Sequence, residues 1–236
     1  MKISDYGNSE KIYVVILAGG KGSRIKKKLN NLPKPLIKID KNRTFLDYLL
    51  NNICKYNLNK IYLLAGYKGK KIYNRFHGKK INLIPIECII EKRQLGTAGS
   101  LTQIKNKISR KFLVLNGDTV FDINLGEFSK KNLNKNEILI GLTKSNYKSH
   151  NTNLNNLGLN KNKIIYKNKS NLINAGVYLV EKKIFKYIDK KNSSLENEII
   201  PKLIYENNHP TLNHHPINKL IWAKKYRYRR RHRNIA

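Results

Sequence analysis

Three glycines, a serine and an arginine stand together in Leu17-Ala18-Gly19-Gly20-Lys21-Gly22-Ser23-Arg24, and a lysine between two prolines follows at Pro33-Lys34-Pro35. Glycines let a backbone turn tightly and aim its N–H groups at an anion with no Cβ in the way. Arg24 adds a planar donor fork suited to phosphate oxygens. Lys34 adds a compact point charge, on a segment that its prolines are expected to hold extended. These types at this spacing describe a polyphosphate site. They do not fit the G-x-G-x-x-G spacing of a dinucleotide loop, nor a Walker loop, because Gly22-Ser23-Arg24 follows Lys21 where Gly-Lys-Ser/Thr is required. The bland alternative is a glycine-rich turn beside the solvated cluster Lys26, Lys27 and Lys28. The apolar run before the loop and Pro-Lys-Pro after it favour the anion site.

Two further groups can serve the same chemistry. Asn116-Gly117-Asp118-Thr119 ends an apolar run, which places the Asp118 carboxylate where it could hold a Mg²⁺ ion bridging phosphate oxygens. Its bland alternative is an ordinary strand-to-turn aspartate. In Leu95-Gly96-Thr97-Ala98-Gly99-Ser100 the glycines permit close approach by a flat ring, and Thr97 is expected to cap a following helix. Glu91 and Gln94 either contact a base or ribose or are solvated loop residues; the sequence leaves both open.

The elements that must position these residues follow from periodicity. Ile12-Tyr13-Val14-Val15-Ile16 is the unbroken apolar run of a strand buried on both faces. Ile61–Ala65, Leu83–Ile90 and Phe112–Asn116 read as further strands. Helices are expected from Phe45 to Tyr56, with Phe45, Leu46, Leu49, Leu50 and Ile53 on one face, and from Thr97 to Ile108. Alternation at this spacing predicts the α/β class: a mostly parallel twisted sheet with helices on both faces, binding its ligand beyond the strands' carboxyl ends. Past residue 141 the pattern loosens. Residues 146–162 read as a surface connection with a short strand at Leu157–Leu159. Strands are expected again at Ile164–Tyr166 and Ala175–Val180, then short helices at Lys182–Ile188 and Ser194–Tyr205.

The length of 236 residues suffices for one large α/β domain. No segment approaches the roughly 18 to 20 apolar residues of a membrane span, and Met1-Lys2-Ile3-Ser4-Asp5 has no signal-peptide apolar region. Cys54 and Cys88, expected in a helix and a strand, read as reduced core thiols. A cytoplasmic protein is therefore expected. The net charge of +33 would ordinarily point to nucleic acid or an anionic surface. However, Lys, Asn and Ile supply 38, 33 and 30 residues, share A/T-rich codons and run through the whole chain. A mutational bias explains that charge as well as a polyanion partner does. Only the end differs, with five of the ten arginines between Arg227 and Arg233.

With Phe45-Leu46-Asp47-Tyr48 and Leu172-Ile173-Asn174-Ala175-Gly176-Val177-Tyr178, these motifs make the chain resemble the sugar nucleotidyltransferases from about residue 12 to about residue 206. Within them it is similar to the bacterial D-glycero-α-D-manno-heptose 1-phosphate guanylyltransferases and their mannose 1-phosphate relatives. The resemblance implies the nucleotide-diphospho-sugar transferase fold, which is Rossmann-like. It also implies transfer of a nucleotidyl group, guanylyl above all, from a nucleoside triphosphate to a heptose or hexose 1-phosphate with release of pyrophosphate. Uridylyl and thymidylyl transfer are the alternatives on the same fold. Leu17, Ala18, Gly19, Gly20, Gly22, Ser23, Gly96 and Thr97 would bind the nucleotide, Gly96 lying against the base. Arg24 would neutralise the leaving pyrophosphate, Lys34 the α-phosphate, and Asp118 would hold Mg²⁺. Lys169 would hold the sugar phosphate, while Asn168, Asn174, Gly176 and Glu196 would line the sugar pocket. The partners implied are these two substrates, with no membrane and no nucleic acid, and with a homo-oligomer left open.

Two departures accompany the likeness. The family commonly has Glu just before the sugar-phosphate lysine, where Asn168 stands here. It also usually ends in a segment of the Asp-x-Gly-x-Pro-x-Asp-Tyr kind, whose first Asp is the second metal ligand. This sequence has no Asp after Asp189 and no acidic residue after Glu206. His209, His214 and His215 are poor replacements, since Mg²⁺ prefers oxygen. The expected organisation is thus a nucleotidyltransferase domain at 1–206 and an atypical basic tail at 207–236. A relative impaired by the missing ligand is the remaining alternative.

Overall fold

β1 (Ile12–Leu17) lies in the middle of the sheet, flanked in parallel by β2 (Leu58–Ala65) and β5 (Lys111–Asn116). The computed structural model describes residues 11–20, 31–108, 110–133, 138–144, 157–160, 163–166, 172–188 and 192–203. Outside β2, β4 (Ile84–Ile90) continues the parallel set, and the two-residue β3 (Lys80–Ile81) closes that edge as an antiparallel hairpin. Beyond β5 the direction reverses. β9 (Leu172–Glu181) is antiparallel to β5, β6 (Ile138–Lys144) pairs with β9, and β7 (Leu157–Asn160) with β8 (Lys163–Tyr166) joins through Leu157 opposite Leu172. The α/β class and the parallel centre are as the sequence predicts; the antiparallel wing is an addition to it.

The strand period of two explains the two-layered core. Val14 and Ile16 point to one face, where Leu46, Leu50 and Ile53 of α1 (Phe45–Ile53), Ile72 and Phe76 of α2 (Gly69–Phe76) and Phe128 of α4 (Leu125–Ser129) pack. Val15 and Val114 point to the other, against Leu101, Ile104, Phe185, Leu195 and Ile199. Helical segments therefore cover both faces. Truncating a wholly buried side chain such as Leu50 would cost about 2 to 5 kcal/mol.

α1 begins at a capping box. The Thr44 hydroxyl accepts from the Asp47 N–H, and the Asp47 carboxylate accepts from the Thr44 N–H at 2.7 Å. Arg75 of α2 donates to the same carboxylate at 2.6 Å. Burial raises the Asp47 pKa, but the Thr44 and Arg75 hydrogen bonds outweigh it and hold the carboxyl below its ordinary value.

Several expected boundaries move. α1 stops at Ile53 rather than Tyr56, because the chain must turn within 54–57 to enter β2 with Leu58 buried. The strand expected from Leu83 starts at Ile84, since Asn82 and Leu83 form the β3–β4 turn at positive φ (47° and 66°). The helix expected over Thr97–Ile108 divides into a short α3 (Gly96–Gly99) and a 3₁₀ segment, Ser100–Ile104. There the hydroxyls of Ser100 and Thr102 donate back to the carbonyls of Thr97 and Gly99, a local bonding that competes with the α pattern. The last expected helices are a 3₁₀ segment, Lys182–Lys186, and a π-helical turn, Leu195–Ile199, continuing as helix through 203. Cys88 is in β4 and Cys54 caps the end of α1; both are buried, and burial pushes their thiols up to about 12 and about 11 respectively. Among the described residues no helix is long and apolar enough to cross a membrane. The tail expected at 207–236 lies outside the described residues.

Candidate active site

Four loops leave the carboxyl edge of the sheet side by side and are sewn together by their backbones. The Ala18 N–H donates to the Leu64 carbonyl (2.8 Å), Tyr67 N–H to Gly19 (3.1 Å), Glu91 N–H to Ala65 (2.8 Å) and Gly117 N–H to Leu17 (2.9 Å). At Gly66 an added Cβ would stand 2.9 Å from both the Cα and the carbonyl oxygen of Gly19. The loops after β1 and β2 thus touch main chain to main chain, which only glycine allows. A cavity of about 670 Å³ opens above them.

Leu17, Ala18, Gly19, Gly20, Lys34, Gly96, Thr97 and Asp118 all line this one cavity. It is large enough for a nucleotide-sized ligand. Gly22, Ser23 and Arg24 fall in 21–30, and Asn168 and Lys169 in 167–171; these site expectations lie outside the described residues. Asn174, Gly176 and Glu196 are not in the cavity wall. They form a hydrogen-bonded group directly behind Thr97, reached through Tyr178.

At the cavity mouth the Lys34 ammonium lies 2.5 Å from Asp118 Oδ2, both side chains a little over one-third exposed. Lys34 does not ride on an extended segment as expected. It opens a 3₁₀ turn, Lys34–Leu36, in which Leu36 N–H donates to the Pro33 carbonyl (2.8 Å) while Pro35 and Leu36 are buried. An ion pair this exposed is worth roughly 0 to 1 kcal/mol. Either partner can therefore exchange it for a phosphate or a cation at little cost. Asp118 also accepts from the Thr119 hydroxyl at 3.3 Å. Among the described residues no three of His, Cys, Asp and Glu cluster as a metal cage.

Two glycines have packing tasks besides the expected ones. Gly96 adopts φ +73°, and a Cβ there would lie 2.2 Å from the Ser193 carbonyl oxygen, so its absence lets the segment before the π-helical turn close down. Gly176 (φ +67°) makes room for the Asn116 side chain, 2.7 Å from its would-be Cβ. Thr97 does not cap its own helix, whose N-cap is Leu95 with no side-chain bond. Its hydroxyl instead accepts from Leu195 N–H (2.8 Å) and donates to Glu196 Oε2 (2.6 Å). The Tyr178 phenol, buried and beside the Glu196 carboxylate, is pushed well above its ordinary pKa and stays a donor.

Glu91 and Gln94, which the sequence leaves open, both line the cavity. The Glu91 carboxylate stands over the two glycine turns, its oxygens 3.2 and 3.1 Å from where Cβ atoms of Gly19 and Gly66 would be. Burial pushes its pKa up, partly offset by a hydrogen bond from the Leu95 backbone. Pro35, Ser100 and Asn116, which belong to the motifs read from the sequence, also line it with Leu64, while Gly66, Tyr67 and Arg93 were not foreseen. Gly66 had a usable signal, a glycine directly after the buried run Ile61–Ala65, the same pattern as Gly19 after β1.

Residues 13–154 match the model of the family described as Nucleotidyl transferase. The chain belongs to that family. Among its curated relatives is the D-glycero-alpha-D-manno-heptose 1-phosphate guanylyltransferase of Campylobacter jejuni, 34% identical over 72% of this chain and 76% of that protein. Another is the Bifunctional protein GlmU of Methanococcus vannielii, 35% identical over 78% of this chain but 44% of that protein. The chain thus spans less than half the length of that bifunctional relative. The crystal structure of HddC from Yersinia pseudotuberculosis superposes with a TM-score of 0.66 at 28% identity, covering 81% of this chain and 86% of that one. The inositol-1-phosphate CTP transferase from T. maritima shares the fold, with a TM-score of 0.63 at 20% identity.

Proposed function

We propose that this protein is a sugar-1-phosphate nucleotidyltransferase. An oxygen of the sugar phosphate attacks the α-phosphorus of a nucleoside triphosphate, the bond from that phosphorus to the bridging oxygen breaks, and pyrophosphate leaves. No protein nucleophile is needed, so the work of the site is positioning and charge neutralisation. The observation that carries the reading is the Lys34–Asp118 pair at the mouth of a cavity floored by backbone turns. A cation that would suit a phosphate stands beside a carboxylate that would suit a metal.

The donor set fits Mg²⁺ bound in the manner this ion favours, through one or two carboxylates, substrate phosphates and water. Asp118 would hold it, and the ion would neutralise charge on the phosphate oxygens. Lys34 would meet the α-phosphate, and the 17–20 turn would offer its N–H groups to the triphosphate. Arg24 and Lys169 would complete the charge at the leaving group and the sugar phosphate, with Asn168, Asn174 and Gly176 on the sugar side.

Among bases, guanine is favoured. A carboxylate offers acceptors only, and guanine presents two adjacent donors, N1–H and the N2 amino group, that Glu91 could accept together. Uracil and thymine present one donor between two carbonyls, which would face that carboxylate with like partial charge. The heptose guanylyltransferase relative points the same way. The test is pyrophosphate release with GTP, UTP, dTTP, CTP and ATP, each against mannose 1-phosphate and a heptose 1-phosphate. GTP should be preferred by at least about tenfold. Preference for a pyrimidine triphosphate would replace guanylyl by uridylyl or thymidylyl transfer.

A second reading rests on one sequence observation, the lack of any acidic residue after Glu206. On that reading the chain binds the triphosphate but turns over slowly for want of a second metal carboxylate.

A further inference from the structure

Two hydrogen-bond chains run toward Glu196 from opposite sides and end there, and the Ser194 hydroxyl adds a further donor to its Oε2 at 3.3 Å. From the nucleotide side, Leu195 N–H donates to the Thr97 hydroxyl (2.8 Å), which donates to Glu196 Oε2 (2.6 Å). From the other side, the Asn174 amide donates to the Tyr178 hydroxyl (2.6 Å), which donates to Glu196 Oε1 (3.1 Å). The Asn174 oxygen is also committed, accepting from Gly176 N–H at 2.8 Å. Each hydroxyl accepts one bond and passes one on, so the direction of the whole series is fixed by what stands at its centre. Only a group that accepts on both oxygens satisfies both hydroxyls, and a carboxylate is that group.

We propose that Glu196 is a positioning residue that couples the two substrate halves of the site. Through Thr97 it fixes the 96–99 loop of the nucleotide wall, and through Tyr178 it fixes which face of the Asn174 amide is offered to the sugar. Three backbone bonds brace the same junction: Ala98 and Gly99 N–H donate to the Ser193 carbonyl (2.9 and 3.2 Å), and Ser193 N–H donates to Leu95 (2.9 Å). The π-helical turn Leu195–Ile199 is where Glu196 leaves the backbone, an irregular helix form often found at functional positions. The sugar-side role of Asn174 rests on the proposed function.

The test compares Tyr178→Phe in two backgrounds. With Glu196 present, losing the phenol hydroxyl frees the Asn174 amide, and KM for mannose 1-phosphate should rise about fivefold or more with KM for GTP within about twofold. Glu196→Gln puts an N–H₂ against one of the two hydroxyls, so both KM values should rise. Added to Glu196→Gln, Tyr178→Phe should then cost less than about twofold more, because the series is already broken. Thr97→Val should raise KM for GTP, and Thr97→Ser, which keeps the hydroxyl, should recover most of that loss. Full independent cost of Tyr178→Phe in the Glu196→Gln background would overturn the proposal, since a purely packing role predicts multiplication. Circular dichroism checks that each variant is folded, and Thr97→Val, at a partly exposed position, carries the nucleotide arm if the buried Tyr178→Phe is not. If the unaltered protein releases no pyrophosphate, the proposed function falls by itself. GTP binding by calorimetry then decides the positioning role: weakening by about threefold or more in Glu196→Gln supports it, and unchanged affinity overturns it.

Discussion

Lys34 and Asp118 are 84 positions apart in the chain, and their charged groups meet at 2.5 Å at the mouth of the cavity. Neither is trapped, each being partly exposed. Lys34→Ala is expected to cost on the order of 2 to 4 kcal/mol in kcat/KM with GTP, and Asp118→Asn to abolish Mg²⁺-dependent turnover. Both variants should melt within a few degrees of the unaltered protein, as an exposed pair predicts. Steady-state kinetics beside thermal melts check this, and near-normal turnover in Asp118→Asn would remove Asp118 from the site.

Glu91 should show a trade between stability and recognition. Burial raises its folded pKa above the unfolded value, so its ionisation opposes folding: the stability is full below the ordinary carboxylate range and falls as pH rises through the folded pKa. Glu91→Gln should therefore raise Tm at neutral pH, with the gain disappearing below about pH 4. The same variant should lose its preference for GTP. Melting curves at pH 4 and pH 7.5, run with the nucleotide panel, measure both effects.

Asp47 predicts the opposite sign. Its folded pKa is depressed, so its contribution is present above the unfolded value and lost as pH falls through the folded one. Asp47→Asn removes the capping box and the Arg75 partner together, and should destabilise by about 1 to 2 kcal/mol at pH 7. Urea midpoints at pH 7 and pH 3 should show that difference shrinking in acid.

Gly96→Ala should be among the most damaging small substitutions. It places a Cβ 2.2 Å from the Ser193 oxygen at a left-handed backbone position, for a cost of roughly 2 kcal/mol or more. Gly20→Ala, with nothing within 4 Å of its added Cβ, is the control in the same cavity. Chemical denaturation of the two variants decides whether close approach, rather than glycine content, is what this loop needs.

Replacing residues 209–236 by a family-type end that carries the Asp ligand should raise Mg²⁺-dependent pyrophosphate release, while GTP affinity changes less because Lys34 and the 17–20 turn are left unaltered. Vigorous release without the replacement would show that a second acidic ligand after Glu206 is not required.

The glycine and aspartate turns of the cavity were legible because they directly follow buried strands. Buried runs such as Val14–Ile16 announce strands, and a glycine or an aspartate just past them marks the loops of the carboxyl edge; Gly19 and Asp118, which line the cavity, stand out in this way. The hydrogen-bond partners were not legible. That Thr97 serves Glu196 rather than its own helix depends on a pairing 99 residues long, which no local pattern carries. The division of the Thr97–Ile108 segment escaped for a related reason, since its apolar spacing suits either helix type and the hydroxyls of Ser100 and Thr102 decide. Lys34 was found for its charge but given the wrong backbone, because two prolines bound a tight turn as readily as an extended stretch when Pro35 and Leu36 have a core to enter.

The reversal of direction between β5 and β9 divides how this site can change. The wall contributed by the loops after β1, β2 and β4 can lengthen or shorten with the strands left in place. Asn174 sits instead within a paired strand, opposite Leu142, where inserting one residue would turn it to the other face. On the proposed function, sugar preference would therefore be open to substitution but closed to insertion, whereas the nucleotide side would be open to both.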